Sequence, residues 1–392
     1  MSADMLLTLN AGSSTAKIAL FEVAPSGVRR VAKGTIDFRK TPPSFRVTEG
    51  ATTFDVNLKT DVSDIRGVIA ETFSRLANHF DTSRIAGVGH RVVHGGDSFA
   101  GPVRIDDATI EAIDKLTLLA PLHQPHSLRL IRAIRELRPD LPQSASFDTA
   151  FHRTNGEVVR RFAIPRSFHD EGIKRYGFHG LSYKYIAGEL VRRAPKLARG
   201  NAVVAHLGSG VSLCALEAGI SRDTSMGFTA LDGIPMATRC GALDPGVLLH
   251  LLGPAGRSLA EVNDILYNKS GLLGLSGISP DSRDLLASDR TEAREAIDVF
   301  TSRIAGEVAR LATTLGGLNG IVFTAGIGEH QPQIRAAVCD RLTWLGLEID
   351  VTANTRNEEK ISNASSRIAA FVIPTDEEQV IADEAFFILK QE

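Results

Sequence analysis

One pattern occurs twice in this chain and restricts the folds open to it. Residues 6–21 (LLTLNAGSSTAKIALF) read as an apolar strand, a small polar turn and a second apolar strand, which is the pattern of a β-hairpin. Residues 202–217 (AVVAHLGSGVSLCALE) repeat that order around a Gly-Ser turn. Gly12 and Gly208 stand 196 positions apart (208 − 12), half of the 392-residue chain. A second echo follows each hairpin. Ser74, Arg75, Leu76 and Ala77 lead into the apolar run 85–96, as Ala309, Arg310, Leu311 and Ala312 lead into 321–328. Each is an amphipathic helix, a connector, an apolar strand and a glycine-rich exit. Internal repetition on this scale predicts two copies of one α/β domain. The length agrees, because about 100 to 200 residues make one domain. A turn built from glycine, short hydroxyls and one lysine offers backbone N–H groups to a phosphate, although an ordinary solvent-facing turn has the same composition. Its recurrence predicts two halves that grip one polyphosphate between them.

Charge narrows the ligand. Lys and Arg (44) nearly balance Asp and Glu (46), so no bulk field favours nucleic acid or an anionic membrane. An anionic ligand must therefore be held by local cations. The three cysteines, Cys214, Cys240 and Cys339, are too few and too scattered for a disulfide framework or a zinc knuckle. They suit a reducing, cytoplasmic compartment. The N-terminus has no basic region and too short an apolar run for a secretory leader, and no run approaches the length of a membrane span.

Along the chain, helices are predicted over 61–80, 107–119 and 127–137 from their apolar spacing. Between the first two lies the strand 85–96. Its period of two puts Arg91 with Val93 on one face and His90, Val92 and His94 on the other. His90 and His94 would then stand about 13 Å apart at roughly 3.3 Å per residue, too far to share one metal ion. Arg91, among valines, either lies at a strand end or faces a buried anion, with a surface salt bridge as the plainer reading. Asp148 follows the small-residue strand 144–147, where α/β sheets collect ligands, and a turn or cap reading stands beside that one. His179 sits between Gly177 and Gly180 in a loop past a boundary near residue 150. The long loop 226–245 carries Arg239 as its one cation, and long loops in compact domains are often functional. Asp281 opens a helix as a cap. Residues 324–330 read as a glycine-rich strand-to-loop turn. Thr375 and Glu378 match a capping box, with Asp376 and Glu377 suiting the positive helix end. There is no G-x-x-x-x-G-K-[ST] and no G-x-G-x-x-G, which argues against P-loop and Rossmann sites.

Taken together, LNAGSST at 9–15 with Lys17, GHRVVHGG at 89–96, FDTAFH at 147–152, YGFHG at 176–180, HLG at 206–208, TRCG at 238–241, FTAGIGE at 323–329 and Pro374, Thr375, Glu377 and Glu378 resemble the acetate kinases. That family belongs to the acetate and sugar kinase, Hsp70 and actin superfamily. The resemblance implies an α/β fold of duplicated ribonuclease-H-like, actin-like ATPase domains with nucleotide in an interdomain cleft. It implies a first, acyl-side domain of residues 1–150 plus a C-terminal helix at about 377–392, and a nucleotide domain of residues 151–376. It further implies ATP/ADP and Mg²⁺ (or Mn²⁺ in its place) as cofactors, acetate as substrate, and a homodimer. In this reading Asn10 and Glu377 place the metal. Lys17, His206, Leu207, Gly208, Ser209, Gly210, Asp281, Ser282, Arg283, Gly326, Ile327, Gly328, Glu329 and His330 line the nucleotide. Arg91 holds the acyl substrate, with Val93, Leu122 and Phe178 around its methyl group. Asp148 is the active-site carboxylate, and His179 and Arg239 stabilise the transition state.

Those residue types suit the reaction. Acetate and ATP repel one another, and an arginine at the transferring phosphoryl group is worth about 10³ to 10⁵ in rate. A carboxylic acid is already ionised at pH 7, so Asp148 has no proton to remove and better serves to organise Mg²⁺ water or orient a cation. Ser209, His330 and Asp376 stand where the family more often has asparagine, and Ala230 where it has proline. A softer pocket at Ala230 would also admit propionate, since one methylene is worth only about 1 to 3 kcal/mol. Two alternatives stay open: a propionate or other short-chain acyl kinase, and an actin- or Hsp70-like ATPase that serves a binding partner. The ATPase would release ADP without any carboxylic acid; an acyl kinase would need one.

Overall fold

A computed structural model describes residues 4–12, 15–121 and 123–390. Ser13 and Ser14 of the first turn, and Leu122, lie outside the described residues. By its contacts the chain divides into two units, Met1–Phe151 with Asp376–Glu392, and His152–Thr375.

The first unit carries a sheet of β1 (Met5–Ala11), β2 (Thr15–Ala24), β3 (Gly27–Asp37), β4 (Ser44–Glu49), β5 (Thr52–Asn57), β6 (Ile85–Val92), β7 (Val103–Arg104) and β8 (Gln143–Phe147). Its strand order is β5-β4-β3-β2-β1-β6-β8-β7. In the second unit β9 (Asn201–Leu207), β10 (Val211–Glu217), β11 (Ile220–Thr224), β12 (Gly320–Thr324) and β13 (Ala369–Val372) take the order β11-β10-β9-β12-β13. The first hairpin pairs antiparallel, with Asn10 opposite Lys17. β2 and β3 are antiparallel, while β1–β6 and β6–β8 are parallel. The second sheet repeats every one of these relations: β9–β10 and β10–β11 antiparallel, β9–β12 and β12–β13 parallel. The repeat in the sequence is thus a repeat of topology, with β3-β2-β1-β6-β8 answered by β11-β10-β9-β12-β13.

Alternation along β1 sends its side chains to two layers. Leu7 and Leu9 pack in one core with Val68, Ile69 and Leu76 of the helix Ile65–Ala77 and with Leu130 and Ile134 of the helix Gln124–Leu137. Leu6 packs the other way, with Ala19 and Phe21 of β2, on Ala382 and Ala385 of the helix Glu377–Leu389. That last helix comes very close to β6. A Cβ on Gly89 would stand 2.8 Å from Ile381 Cγ2 and 3.1 Å from Ala385 Cβ, and one on Gly87 would stand 2.5 Å from Leu389 Cδ1. Side chains here would push the helix off the sheet, and overpacking of this kind costs about 1–3 kcal/mol.

Several expected boundaries move, each for a local reason. The helix expected over 61–80 is Ile65–Ala77, started by Asp64, whose side chain accepts from Gly67 N at 2.8 Å. The helix expected over 107–119 is Asp107–Lys115 followed by a 3₁₀ turn, Leu116–Leu119. The helix expected from 127 starts at Gln124, because Pro125 falls in the first turn, where a missing N–H costs nothing. The strand expected to reach residue 96 stops at Val92. Residues 324–330, read as a turn, form a short helix, Ala325–His330. The expected capping box does not form: Asp376 caps the last helix by accepting from Gln379 N at 3.0 Å. Among the described residues no helix is long and apolar enough to cross a membrane.

Candidate active site

In the first unit the strands β1, β6 and β8 are mutually parallel neighbours and end at one edge. That edge collects the polar residues. Asn10, on the β1 face that turns to the last helix, donates from Nδ2 to Glu377 Oε2 at 2.9 Å and Glu378 Oε1 at 2.8 Å. Its Oδ1 accepts from Arg91 Nη1 at 3.2 Å. Arg91, near the end of β6, also donates through Nε to both carboxylate oxygens of Asp148, at 3.1 and 3.2 Å, and through Nη2 to Oδ2. Lys17 Nζ lies 3.8 Å from Glu378 Oε1. Asn10, Arg91, Asp148 and Glu377, remote in sequence, therefore form one connected cluster. Burial pulls the Arg91 guanidinium down, but Asp148, Glu377 and Glu378 more than reverse it, so its pKa rises and it stays a cation. The anion that Arg91 faces is the buried carboxylate of Asp148, and Arg91 stands one residue before the end of β6, so the pair is not a surface salt bridge.

Val93, directly after β6, is buried. The adjoining backbone is fixed by Gln124, which donates to His94 O at 2.8 Å and accepts from His94 N at 3.2 Å. Nothing in the sequence around Gln124 marked that role. A cavity of about 330 Å³ lies in this unit, lined by Gly12, Phe38, Val62 and Ile65 among others, together with His126 and Arg129. Among the described residues it shares none with the expected acyl set, Arg91, Val93 and Phe178.

The corresponding edge of the second unit is built from β9 and β12. His206 and Leu207 end β9, and the turn Gly208, Ser209, Gly210 is closed by Gly208 N donating to Gly210 O at 3.0 Å. His179 sits at the start of the helix Gly180–Arg193 with φ 57°, a left-handed conformation that a non-glycine residue adopts at a cost. Its ring stacks on His206, centroids 4.2 Å apart and planes at 16°. A Cβ on Gly210 would lie 3.0 Å from His179 Nε2, so the glycine lets the turn meet the ring. His179 Nδ1 bonds Ser212 Oγ at 2.8 Å, and Tyr183 Oη bonds the same hydroxyl. His152 Nε2 donates to Phe178 O at 3.0 Å and holds the backbone just before His179.

Glu329 lies inside the helix Ala325–His330, where its Oε1 accepts from Ala325 N at 2.8 Å and Thr375 N at 3.2 Å. Arg335, fully buried, donates to Gly328 O at 2.8 Å and Glu329 O at 3.1 Å and so holds the carbonyl end of that helix. Burial brings its pKa to about 10, still a cation at pH 7. Arg239 is different in kind. Its guanidinium donates to Ala230 O at 3.2 Å and touches Met236 Sδ at 3.8 Å. Among the described residues no carboxylate forms a salt bridge with it, and burial lowers its pKa. A desolvated guanidinium with spare donors is prepared for an anion.

Other expected residues are placed less tightly. Asp281 caps the helix Ser282–Leu286 and pairs with Arg283, both within their own turn, while Ser282 is buried. Ser209 and His330 face solvent, and Gly326 and Ile327 lie within the short helix. Asp376 is the helix cap and pairs with Arg30, which accounts for a carboxylate at that position. Val93 belongs to the first unit, Phe178 and Ala230 to the second. No group of three or more His, Cys, Asp and Glu able to hold a metal occurs among the described residues.

Two sheets of one ribonuclease-H-like topology, each with its polar groups at the edge where the parallel strands end, define an actin-like ATPase-fold protein with duplicated domains. The chain belongs to the acetokinase family, whose model matches residues 5–383. It is 47% identical over 386 residues to acetate kinase of Rhodopseudomonas palustris (strain ATCC BAA-98 / CGA009), covering 97% of both chains. It is 46% identical over 391 residues to acetate kinase of Nitrobacter hamburgensis, covering 98% of this chain and 96% of the other. Among solved structures, a propionate kinase from Francisella tularensis superimposes with TM-score 0.90 at 34% identity, over 98% of this chain and 100% of that one. Acetate kinase of Porphyromonas gingivalis gives 0.89 at 33%, over 99% and 100%.

Three buried histidines near these edges give a pH signature. Burial pushes His90, His94 and His152 down to about 4, against about 6.5 in an unfolded chain. Between those values the unfolded chain binds protons that the native one does not, so stability falls as pH falls from 6.5 toward 4 and is fully present above 6.5. Each group contributes up to about 3 kcal/mol. The urea midpoint should therefore drop steeply between pH 7 and pH 4.5, and less steeply in His152→Gln. A midpoint flat across that range would contradict the assignment.

Proposed function

We propose that this chain catalyses reversible, Mg²⁺-dependent transfer of the γ-phosphoryl group of ATP to acetate, giving acetyl phosphate and ADP by direct in-line transfer. The observation that carries the proposal is the half-buried Arg239 guanidinium, which has spare donors and no carboxylate salt bridge among the described residues. In a chain of net charge −2, such a group is suited to the charge that spreads over the equatorial oxygens of a transferring phosphoryl group. His179 and His206 add donors, and the 208–210 turn and the helix Ala325–His330 add backbone N–H groups for the nucleotide phosphates. Lys17, in the first hairpin, is likewise assigned to the nucleotide.

Arg91 holds the acetate carboxylate with the donor capacity that Asp148 leaves to it. Asp148, already committed to Arg91, acts by orienting that cation; acetate arrives ionised and offers no proton to a base. The apolar residues assigned to the methyl group of the substrate are Val93 and Phe178, with Leu122 taken from the sequence alone.

The donor set suits Mg²⁺. Glu377 and Glu378 converge on the Asn10 amide at 2.9 and 2.8 Å, and Mg²⁺ is commonly held by one or two carboxylates plus substrate phosphates and water rather than by an all-protein cage. Asn10 and Glu377 would hold it, and Mn²⁺ would fit the same oxygens. When bound, the ion supplies charge that bridges and neutralises the β- and γ-phosphate oxygens.

The decisive assay is acyl phosphate formation with ATP, Mg²⁺ and a series of acids, formate through butyrate. Acetate should give the highest kcat/KM, with propionate lower by roughly 10-fold or more, and ADP release should require the acid. Equal ADP release without any acid would replace this reading by that of an ATPase.

We also infer a cytoplasmic homodimer. Cys214, Cys240 and Cys339 are all free thiols, in keeping with a reducing compartment. The helix Pro245–Leu252 is uncharged, has no buried residue and leaves Leu249 71% exposed, with Val247, Leu252, Leu243 and Leu259 also exposed. An apolar surface of this kind marks an interface, and a second copy of the chain is the occupant we assign. Sedimentation should give about twice 42.1 kDa, and Leu249→Lys should shift it toward one copy. A monomer at micromolar concentration would end the assignment.

A further inference from the structure

The loop that carries Arg239 forms no helix or strand of its own between residues 225 and 244, yet it is bonded to a junction of two helices. The helix Leu259–Asn268 ends there and the helix Gly271–Ser276 begins. A helix leaves its last carbonyls and its first N–H groups without partners of its own, so the junction presents acceptors and donors side by side. The Arg239 loop meets both sets. Cys240 N donates to Leu266 O at 3.0 Å, and Thr238 Oγ1 to Tyr267 O at 2.8 Å. In the other direction Ser270 N donates to Thr238 O at 2.9 Å, Leu272 N to Met236 O at 2.9 Å and Leu273 N to Ala237 O at 3.0 Å. Each of these bonds ends on a main-chain carbonyl, which can only accept, so its direction is fixed. We infer that Thr238 and Gly271 are positioning residues that seat residues 236–240 on this junction and thereby aim the Arg239 guanidinium.

The two act in different ways. Thr238 stands directly before Arg239 and is bonded to the junction through both its hydroxyl and its carbonyl. Gly271 has φ 60°, in the left-handed region, and its backbone lies against the loop. A Cβ there would stand 2.0 Å from Met236 O and 2.8 Å from Arg239 O, so a side chain would lift the loop from its seat. Met236 passes the constraint on to the guanidinium. Its N donates to Arg239 O at 3.0 Å, closing the turn 236–239, and its Sδ lies 3.8 Å from Arg239 Nη1. Nη1 also donates to Ala230 O at 3.2 Å, while Nε and Nη2 make no hydrogen bond among the described residues. One nitrogen thus anchors the group and two are left for an anion. A group that works by fixed position loses rate steeply when moved, by about 10²-fold for a shift of roughly 1 Å.

This deepens the proposed function and rests on it for the reaction; the seat itself is measured without any activity. In hydrogen exchange of the full-length chain the amides of Met236, Cys240, Ser270, Leu272 and Leu273 should be protected. Their exchange should speed in Gly271→Ala and, by less, in Thr238→Val, while Thr238→Ser keeps the hydroxyl and the protection. In acyl phosphate formation kcat should fall about 10²-fold in Gly271→Ala. In Thr238→Val it should fall roughly tenfold, the equivalent of one hydrogen bond, and Thr238→Ser should recover it. The KM values for ATP and acetate should stay within about twofold, as for an interaction made in the transition state. Neither change should slow Arg239→Ala further, because the seat then has no guanidinium to aim; a merely structural residue would slow both backgrounds alike. Should Gly271→Ala not fold, the two Thr238 variants carry the comparison by themselves. Unaltered exchange in folded variants, or losses that add in full to that of Arg239→Ala, would overturn the inference. An unaltered chain with these amides protected that forms no acyl phosphate from any acid would overturn the reaction and not the seat.

Discussion

The packing of the last helix on the first strand is the constraint from which the first unit's chemistry follows. Gly87 and Gly89 let the helix Glu377–Leu389 settle on β6, and the alternation of β1 turns Leu6 and Asn10 toward that same layer. The approach brings Glu377 and Glu378 within hydrogen-bond distance of Asn10 across 367 and 368 residues of chain. Asp376, fixed as the helix cap and paired with Arg30, sets where the helix begins. A bulkier residue in β6 would displace the helix and separate the carboxylates from the amide, even though it lies away from them in the sheet.

The two units solve their electrostatics in opposite ways. In the first, the buried cation of Arg91 is already matched by Asp148, with two more carboxylates nearby, so the site is a compensated network that removal of one partner would leave unbalanced. In the second, Arg239 is desolvated and carries no such match among the described residues. A half-buried guanidinium with no carboxylate beside it is costly to the folded protein, and a structure keeps such a cost where an arriving anion offsets it. Arg335 shows the contrast within the same unit: its donors are spent on Gly328, Glu329 and Asn354, so it holds the carbonyl end of the helix Ala325–His330 and has nothing left for a ligand.

Much of the architecture was readable in the sequence because it rests on periodicity and repetition. The hairpins at 6–21 and 202–217 and the strand after each long helix are local patterns, and they return as two sheets of one topology. The strand end at Asp148 was legible for the same reason. Element ends were less so: Val92 closes β6 before His94, and 324–330 winds into a helix, because long-range bonds from Gln124 and Arg335 decide those segments. The capping box at Thr375 and Glu378 matched a pattern, yet Thr375 is taken by Ser182 and Asp376 does the capping. Ser182, Ser212, Gln124 and Arg335 carry no local signature at all. Ser182, Ser212 and Gln124 take their roles from partners 24 to 193 residues away, and Arg335 from partners 6 to 22 away on both sides of it, none of which a local sequence pattern displays.

In the proposed reaction, fixed guanidinium charge at residue 239 offsets the repulsion between two anionic substrates. Chemical rescue tests it most directly: acyl phosphate formation by Arg239→Ala measured with and without millimolar guanidinium ion. The account predicts a folded variant slowed by about 10³ or more, with part of the rate recovered by added guanidinium and none by equal sodium chloride. A folded variant that forms acyl phosphate at the unaltered rate would contradict it.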